Sequence, residues 1–249
     1  MKKPGWIALL VLLVACVGLS LGFAGSAETA PVPISGIHPP DRHIEDADAA
    51  LALLLEGNLR FVAGNLSDKS VYALEREALA EAQLPFAVIL CCSDSRVAPE
   101  IFFDQEMGDL FTVRNAGNIA DSTALGSIEY AAEHLHAPLV VVVGHSRCGA
   151  VTAAFSEGEH PANLRSILGR IQSACEGAAD VDAAIRIHIA QTVAEIQGNE
   201  IVRECGAVVV GEIEFYLEQE DESVTLYAEW LTEEPRLYLY MSDGESSFG

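Results

Sequence analysis

The chain has 249 residues, 50% of them hydrophobic, enough for one sizeable core, and no internal linker or repeat divides it, so one folded body is expected. Its 37 acidic residues against 14 basic ones leave a net charge of −23. A surface this acidic repels nucleic acid and anionic lipid headgroups, which excludes them as partners, and the acid excess serves solubility.

The N-terminus has a different character. Lys2 and Lys3 precede an uncharged run over residues 4–27, a basic region followed by an apolar one, as in an export signal. Three outcomes stay open. Cleavage after Ala27, in Gly25-Ser26-Ala27, releases an exported protein. Leu13-Val14-Ala15-Cys16 resembles a lipoprotein signal with Cys16 as the lipidated residue. Residues 5–24 are also long enough to stay as a membrane anchor. All three place the body outside the cytoplasm, periplasmic or extracellular, with membrane contact confined to residues 1–27. Residues 28–44, with four prolines, read as an extended tether. Residues 45–249 form the body.

Within it, apolar residues recur at helical spacing over 46–63 (Ala50, Leu51, Leu54, Leu55, Val62 among them), and Gly64-Asn65 stops that helix. A second, more charged helix is expected over 71–82. Pro85 opens a strand over 86–92, and 109–114 reads as another, ending in the loop sequence Asn115-Ala116-Gly117-Asn118. Ser122 is the expected N-cap of a helix to Leu135. Residues 139–144 form a third apolar strand, and 148–156 begin a helix whose N-terminus favours a thiolate at Cys148. Helices over 162–176 and 181–205 and a strand over 207–213 follow. Residues 223–230 and 237–241 are short strands or extended arms. Strands alternating with helices predict an α/β fold, a parallel-core sheet flanked by helices.

Two apolar runs end in chemistry: Cys92-Ser93-Asp94-Ser95-Arg96 and His145-Ser146-Arg147-Cys148. In an open α/β sheet, sites form at the carboxyl ends of strands. Two soft thiolates, Cys92 and Cys148, and the imidazole of His145 suit Zn²⁺ and leave a fourth position for water. Asp94 could fill that position, or turn to Arg96, stay ionised and accept a hydrogen bond from the zinc-bound water. Zinc brings a bound water to a pKa near 7, which supplies hydroxide near neutral pH. Cys91 alternates away from Cys92 and reads as a small buried hydrophobe. Cys175 and Cys205 could pair in an oxidising compartment.

Five blocks in order resemble the β-class carbonic anhydrases: Leu55-Glu56-Gly57-Asn58-x-Arg60-Phe61, Cys92-Ser93-Asp94-Ser95-Arg96-Val97, the stretch Gly108 to Asn118, Gly126-Ser127-Ile128-Glu129-Tyr130, and Gly144 to Ala150. The resemblance spans about residues 50–210. It implies one zinc per chain on Cys92, His145 and Cys148, a catalytic dyad of Asp94 and Arg96, and Asp94 as fourth ligand only in a closed state. It implies that Gln83 helps bind substrate or bicarbonate and that Phe111, Ala116 and Tyr130 line an apolar CO₂ pocket. It further implies a homodimer with sites at the subunit interface, or a dimer-based tetramer.

The activity implied is reversible hydration of CO₂ to bicarbonate and a proton, by attack of zinc-bound hydroxide. Hydrolysis of carbonyl sulfide or carbon disulfide on the same site is the alternative enzyme reading, and a non-catalytic zinc-binding interaction protein is the reading from another class. His134, His136, His160 and His188 are proton-shuttle candidates by residue type only. The family's tryptophan three residues before the first cysteine ligand is Ile89 here, which implies that its regulatory bicarbonate site is missing. The usual C-terminal pattern is replaced by Glu212 to Glu218.

Overall fold

The computed structural model describes residues 44–69, 72–156, 158–214, 226–229 and 237–240. The segment expected to direct export and most of the tether lie outside these residues. Among the described residues no helix is long and apolar enough to cross a membrane.

Among the described residues six strands form one sheet in the order β2-β1-β3-β4-β5-β6. β1 (Ala87–Cys92), β2 (Leu110–Asn115), β3 (Leu139–His145) and β4 (Val208–Glu214) are mutually parallel. β5 (Leu226–Glu229) and β6 (Leu237–Tyr240) continue the sheet antiparallel, so the two C-terminal segments are strands and not free arms. Every residue of β1 and β3 is buried. Helices cover both faces of a parallel sheet, so its central strands read as unbroken apolar runs. Edge strand β2 is only half-buried over most of its length.

The helices follow the expected order. α1 (Ala47–Val62) is capped by Asp46, whose carboxylate accepts from the Ala49 N–H at 2.8 Å. α2 (Tyr72–Glu81) precedes β1, and the four-residue α3 (Pro99–Phe102), absent from the sequence reading, follows it. α4 (Ser122–His134) starts one residue away from expectation. Asp121 is its N-cap, accepting from the N–H groups of Thr123 and Ala124, and Ser122 is the first helical residue. α5 (Gly149–Phe155) and α6 (Ala162–Cys175) follow β3. The single helix expected over 181–205 is two: α7 (Val181–Gln197) ends at Gly198, and Asn199 caps α8 (Glu200–Cys205) by accepting from the Val202 N–H.

The core is continuous from α1 through the sheet to α7. α7 lies so close to β3 that a Cβ on Gly144 would collide with Ile189. Cys91 is fully buried, as expected for a small apolar residue. Cys175 and Cys205 are both free thiols, so the pairing left open for them does not form.

Candidate active site

β1 and β3 are adjacent and parallel, with Cys91 level with Val143, so their carboxyl ends open at the same edge of the sheet. That register brings Cys92, the last residue of β1, beside His145, the last of β3. The turn after β3 passes through Arg147, held in the left-handed region at φ +55°, and returns Cys148 to the same place as the N-cap of α5. The ligand atoms of Cys92, His145 and Cys148 all lie within 4.8 Å of one another, and all three residues are buried. The two sulfurs are 4.0 Å apart.

This donor set fits a zinc ion. The His145 Nδ1–H donates to the Ser146 carbonyl at 3.0 Å, which puts the lone pair on Nε2. That Nε2 is buried and has no hydrogen-bond partner, a costly arrangement unless the atom serves as a ligand. Two sulfurs and one such nitrogen match the three-protein-ligand set of an open zinc site.

Electrostatics separate the two thiols. The contact with Cys148 holds the Cys92 thiol down, burial opposes this, and His145 and the N–H groups of Gly117 and Asp94 add to the lowering. Cys148 is pushed up, first by its hydrogen bond to Cys92 and then by burial. The N–H groups of Ala150 and Val151 at the start of α5 do favour a Cys148 thiolate, as expected, but the neighbouring sulfur outweighs them.

Asp94 stands outside the ligand cluster. Its Oδ1 accepts from Arg96 Nε at 2.9 Å and its Oδ2 from Nη2 at 2.8 Å, a bidentate pair, and the Arg96 N–H adds a third bond at 3.0 Å. The Arg96 guanidinium beside it holds the carboxyl well below the usual carboxylate range, against the smaller effect of burial. Of the two orientations open to Asp94, the structure has the one turned to Arg96. Arg96 Nη2 also reaches the Arg147 carbonyl at 3.4 Å, tying the β1 and β3 turns together.

Residues the sequence reading did not single out shape this site. Arg114, the charge at the end of β2, donates from Nε to the Cys92 carbonyl at 3.1 Å and from Nη2 to the Asp94 carbonyl at 2.7 Å. The Gly117 N–H donates to Cys92 Sγ at 3.4 Å. The signal available for Arg114 was a lone cation ending an apolar strand.

The pocket residues divide. Ala116 is next to Gly117, beside the cluster. Phe111 and Tyr130 meet each other, with ring centroids 6.1 Å apart, but not the cluster. Phe111 is level with Val88, four positions before Cys92, or about 13 Å along the strand. Gln83 is exposed and precedes β1, also at the far end. Of the shuttle candidates, His134 and His136 are exposed and His160 is half-buried. Among the described residues none of these three is hydrogen-bonded to the cluster. His188 is buried, and its Nε2 donates to the Gly117 carbonyl at 2.7 Å.

Comparison with known proteins agrees with this geometry. Residues 87–214 match the family model described as carbonic anhydrase. The chain is 46% identical over 158 residues to a carbonic anhydrase of Mycolicibacterium smegmatis, covering 60% of this chain and 77% of that protein. It is 46% identical over 155 residues to carbonic anhydrase 2 of Mycobacterium tuberculosis, covering 59% and 75%. Among solved structures it is similar to the tetrameric β-carbonic anhydrases of the filamentous ascomycete Sordaria macrospora, with TM-score 0.53 and 25% identity over 67% of this chain and 92% of that one. It is also similar to the β-carbonic anhydrase CcaA, with TM-score 0.55 and 26% identity over 72% and 88%. The resemblance read from five short blocks thus holds across fold and sequence, and the chain belongs to the β class of the carbonic anhydrase family of enzymes.

Proposed function

We propose that this enzyme hydrates CO₂ reversibly, with one zinc ion held by Cys92, His145 and Cys148. The observation that carries the reading is the orientation of Asp94: its carboxylate is committed to Arg96 and leaves the three-ligand set open. Zinc in such a site acts as a Lewis acid that makes water a nucleophile near neutral pH. The protein's part is to orient the reacting water. Asp94, kept ionised by Arg96, presents an acceptor for a hydrogen bond from the attacking water and so orients it, because taking up the proton itself would cost the Arg96 pair. Arg114 fixes the Cys92–Asp94 turn through two backbone carbonyls, and Gly117 offers an N–H to the Cys92 sulfur. Ala116 supplies apolar surface beside the cluster, suited to a small uncharged substrate.

Phe111, Tyr130 and Gln83, lying at the opposite end of β1 and β2 from the cluster, support a homodimer in which they complete a neighbouring chain's pocket. A dimer-based tetramer is compatible with the same contact. The basic and apolar N-terminal segment supports export to the periplasm or beyond, whether it is cleaved, lipidated at Cys16 or kept as an anchor.

The test is Asp94→Asn, measured for zinc content and for CO₂ hydration by stopped flow. One zinc per chain is expected with turnover lower by up to about 10²-fold, the scale of a lost outer partner of a metal-bound group. Unchanged turnover would remove Asp94 from the mechanism.

A further inference from the structure

Gly117 is held from both sides. Its N–H faces Cys92 Sγ at 3.4 Å, and its carbonyl accepts from His188 Nε2, on α7, at 2.7 Å. The residue sits at φ +79°, and a Cβ there would lie 2.7 Å from Ile171 Cδ1 and 3.0 Å from the Ala150 Cβ. The loop around it is pinned twice more. The Asn115 side chain bonds both the N–H and the carbonyl of Ile119, and Arg170 donates to the Ala120 carbonyl at 2.6 Å. His188 is 3% exposed, and burial lowers its proton affinity, so the ring is neutral with its Nε2–H aimed at Gly117. Glu195 and Arg170 act on it with opposite sign. The imidazole is hydrogen-bonded to neither Asp94 nor the three ligands, so the catalytic chemistry leaves it unexplained.

We infer that His188 is a positioning residue for the metal centre, holding Gly117 from α7 so that the Gly117 N–H stays on the Cys92 sulfur. The inference rests on the zinc-site reading above and deepens it. An N–H on a ligating thiolate stabilises the charged sulfur, and its loss loosens the metal, typically by 10–100-fold for such outer partners. A cavity of about 320 Å³ borders His188, Arg170 and Thr192, so a flexible side chain in place of the ring has room to settle.

Two variants separate position from bulk. His188→Met fills similar space without a donor, and His188→Gln carries an N–H group about as far out as Nε2. The readouts are zinc transfer to a competing chelator and the thiolate charge-transfer absorption of the cobalt-substituted protein, with thermal unfolding recorded beside them. Met is expected to release zinc at least tenfold faster with an altered cobalt band. Gln, which keeps the donor, is expected to release zinc less than about tenfold faster than the parent, below the cost of losing such a partner. Release from Met within twofold of the parent, or equal loss in Met and Gln, overturns the inference. If Met does not fold, nitrogen NMR of the parent decides: His188 must be the neutral Nε2–H tautomer, and an Nδ1–H tautomer overturns the inference. A parent chain that takes up no zinc at all overturns the zinc-site reading itself, and this inference with it.

Discussion

Asp104 offers a test with a calculable size. It is 2% exposed, sits in the left-handed region at φ +47°, and receives only donors. Arg60 Nε lies 2.5 Å from Oδ2, Lys69 Nζ 3.0 Å from Oδ1, and the Ser67 N–H and hydroxyl 3.0 and 2.9 Å from Oδ1. The carboxylate thereby fastens α1 and the segment that follows it to the end of α3. Burial, the largest single influence, pushes its pKa up, but Arg60, Lys69 and Ser67 together win and hold it at about 2, below the ordinary 3.8. At about 1.4 kcal/mol per tenfold in proton affinity, that fall is worth about 2–3 kcal/mol of stability. Because the folded value is the lower one, the contribution is complete above the unfolded value and is lost as pH falls from about 4 through about 2.

Asp104→Asn removes the charge, keeps the shape and tolerates the same backbone conformation. Urea unfolding of both proteins, at matched metal content, should show the variant less stable by about 2–3 kcal/mol between pH 5 and 7, with the gap closing toward pH 2. A gap that does not change with pH, or one below about 0.5 kcal/mol at neutral pH, within the range of an ordinary surface substitution, would refute the reasoning.

Two further outcomes follow from the site and its support. Arg96→Lys replaces a planar fork with a single ammonium and cannot keep both bonds to Asp94, so zinc content should be unchanged while hydration falls about tenfold, the equivalent of about 1.4 kcal/mol. Retained turnover in stopped flow would show that the bidentate pair is dispensable. Gly144→Ala drives a methyl into Ile189, and overpacking of about 1–3 kcal/mol should lower the unfolding temperature by about 2–10 °C. A shift under about 1 °C in thermal unfolding would mean that α7 yields at that point.

The parallel strands were legible because burial on both faces leaves no polar alternation: Val140-Val141-Val142-Val143 can be little else. The meeting of Cys92, His145 and Cys148 was legible for a related reason. Once two such strands are neighbours with one direction, a cysteine ending the first and a His-x-x-Cys ending the second must meet. What escaped depends on choices that local pattern does not make. Helical periodicity runs on through Gly198-Asn199, and only the capping geometry of Asn199 shows that a new helix starts there. Asp121 and Ser122 are both good caps, and the structure takes the carboxylate, which accepts from two N–H groups. The braces of Arg114, Arg60 and His188 end on backbone carbonyls or carboxylates 20–71 residues away, and a backbone carbonyl has no residue identity to read.

Phe111 and Tyr130 show a subtler gap. The family resemblance implies that they belong to a CO₂ pocket at a subunit interface, and it does not say whose ligand cluster they face. Register supplies the missing step. A strand advances about 3.3 Å per residue, so a side chain level with Val88 cannot reach a ligand cluster that begins at Cys92 on the same strand. If these rings line a CO₂ pocket, it is one that a second copy brings to them. The half-buried outer strand β2, which among the described residues has no neighbour on its far side within the sheet, and the 46% exposed Tyr130 are where that copy would sit. Dimerisation would then complete the catalytic pocket itself, and a chain held as a monomer would keep its ligand set and lose its substrate site.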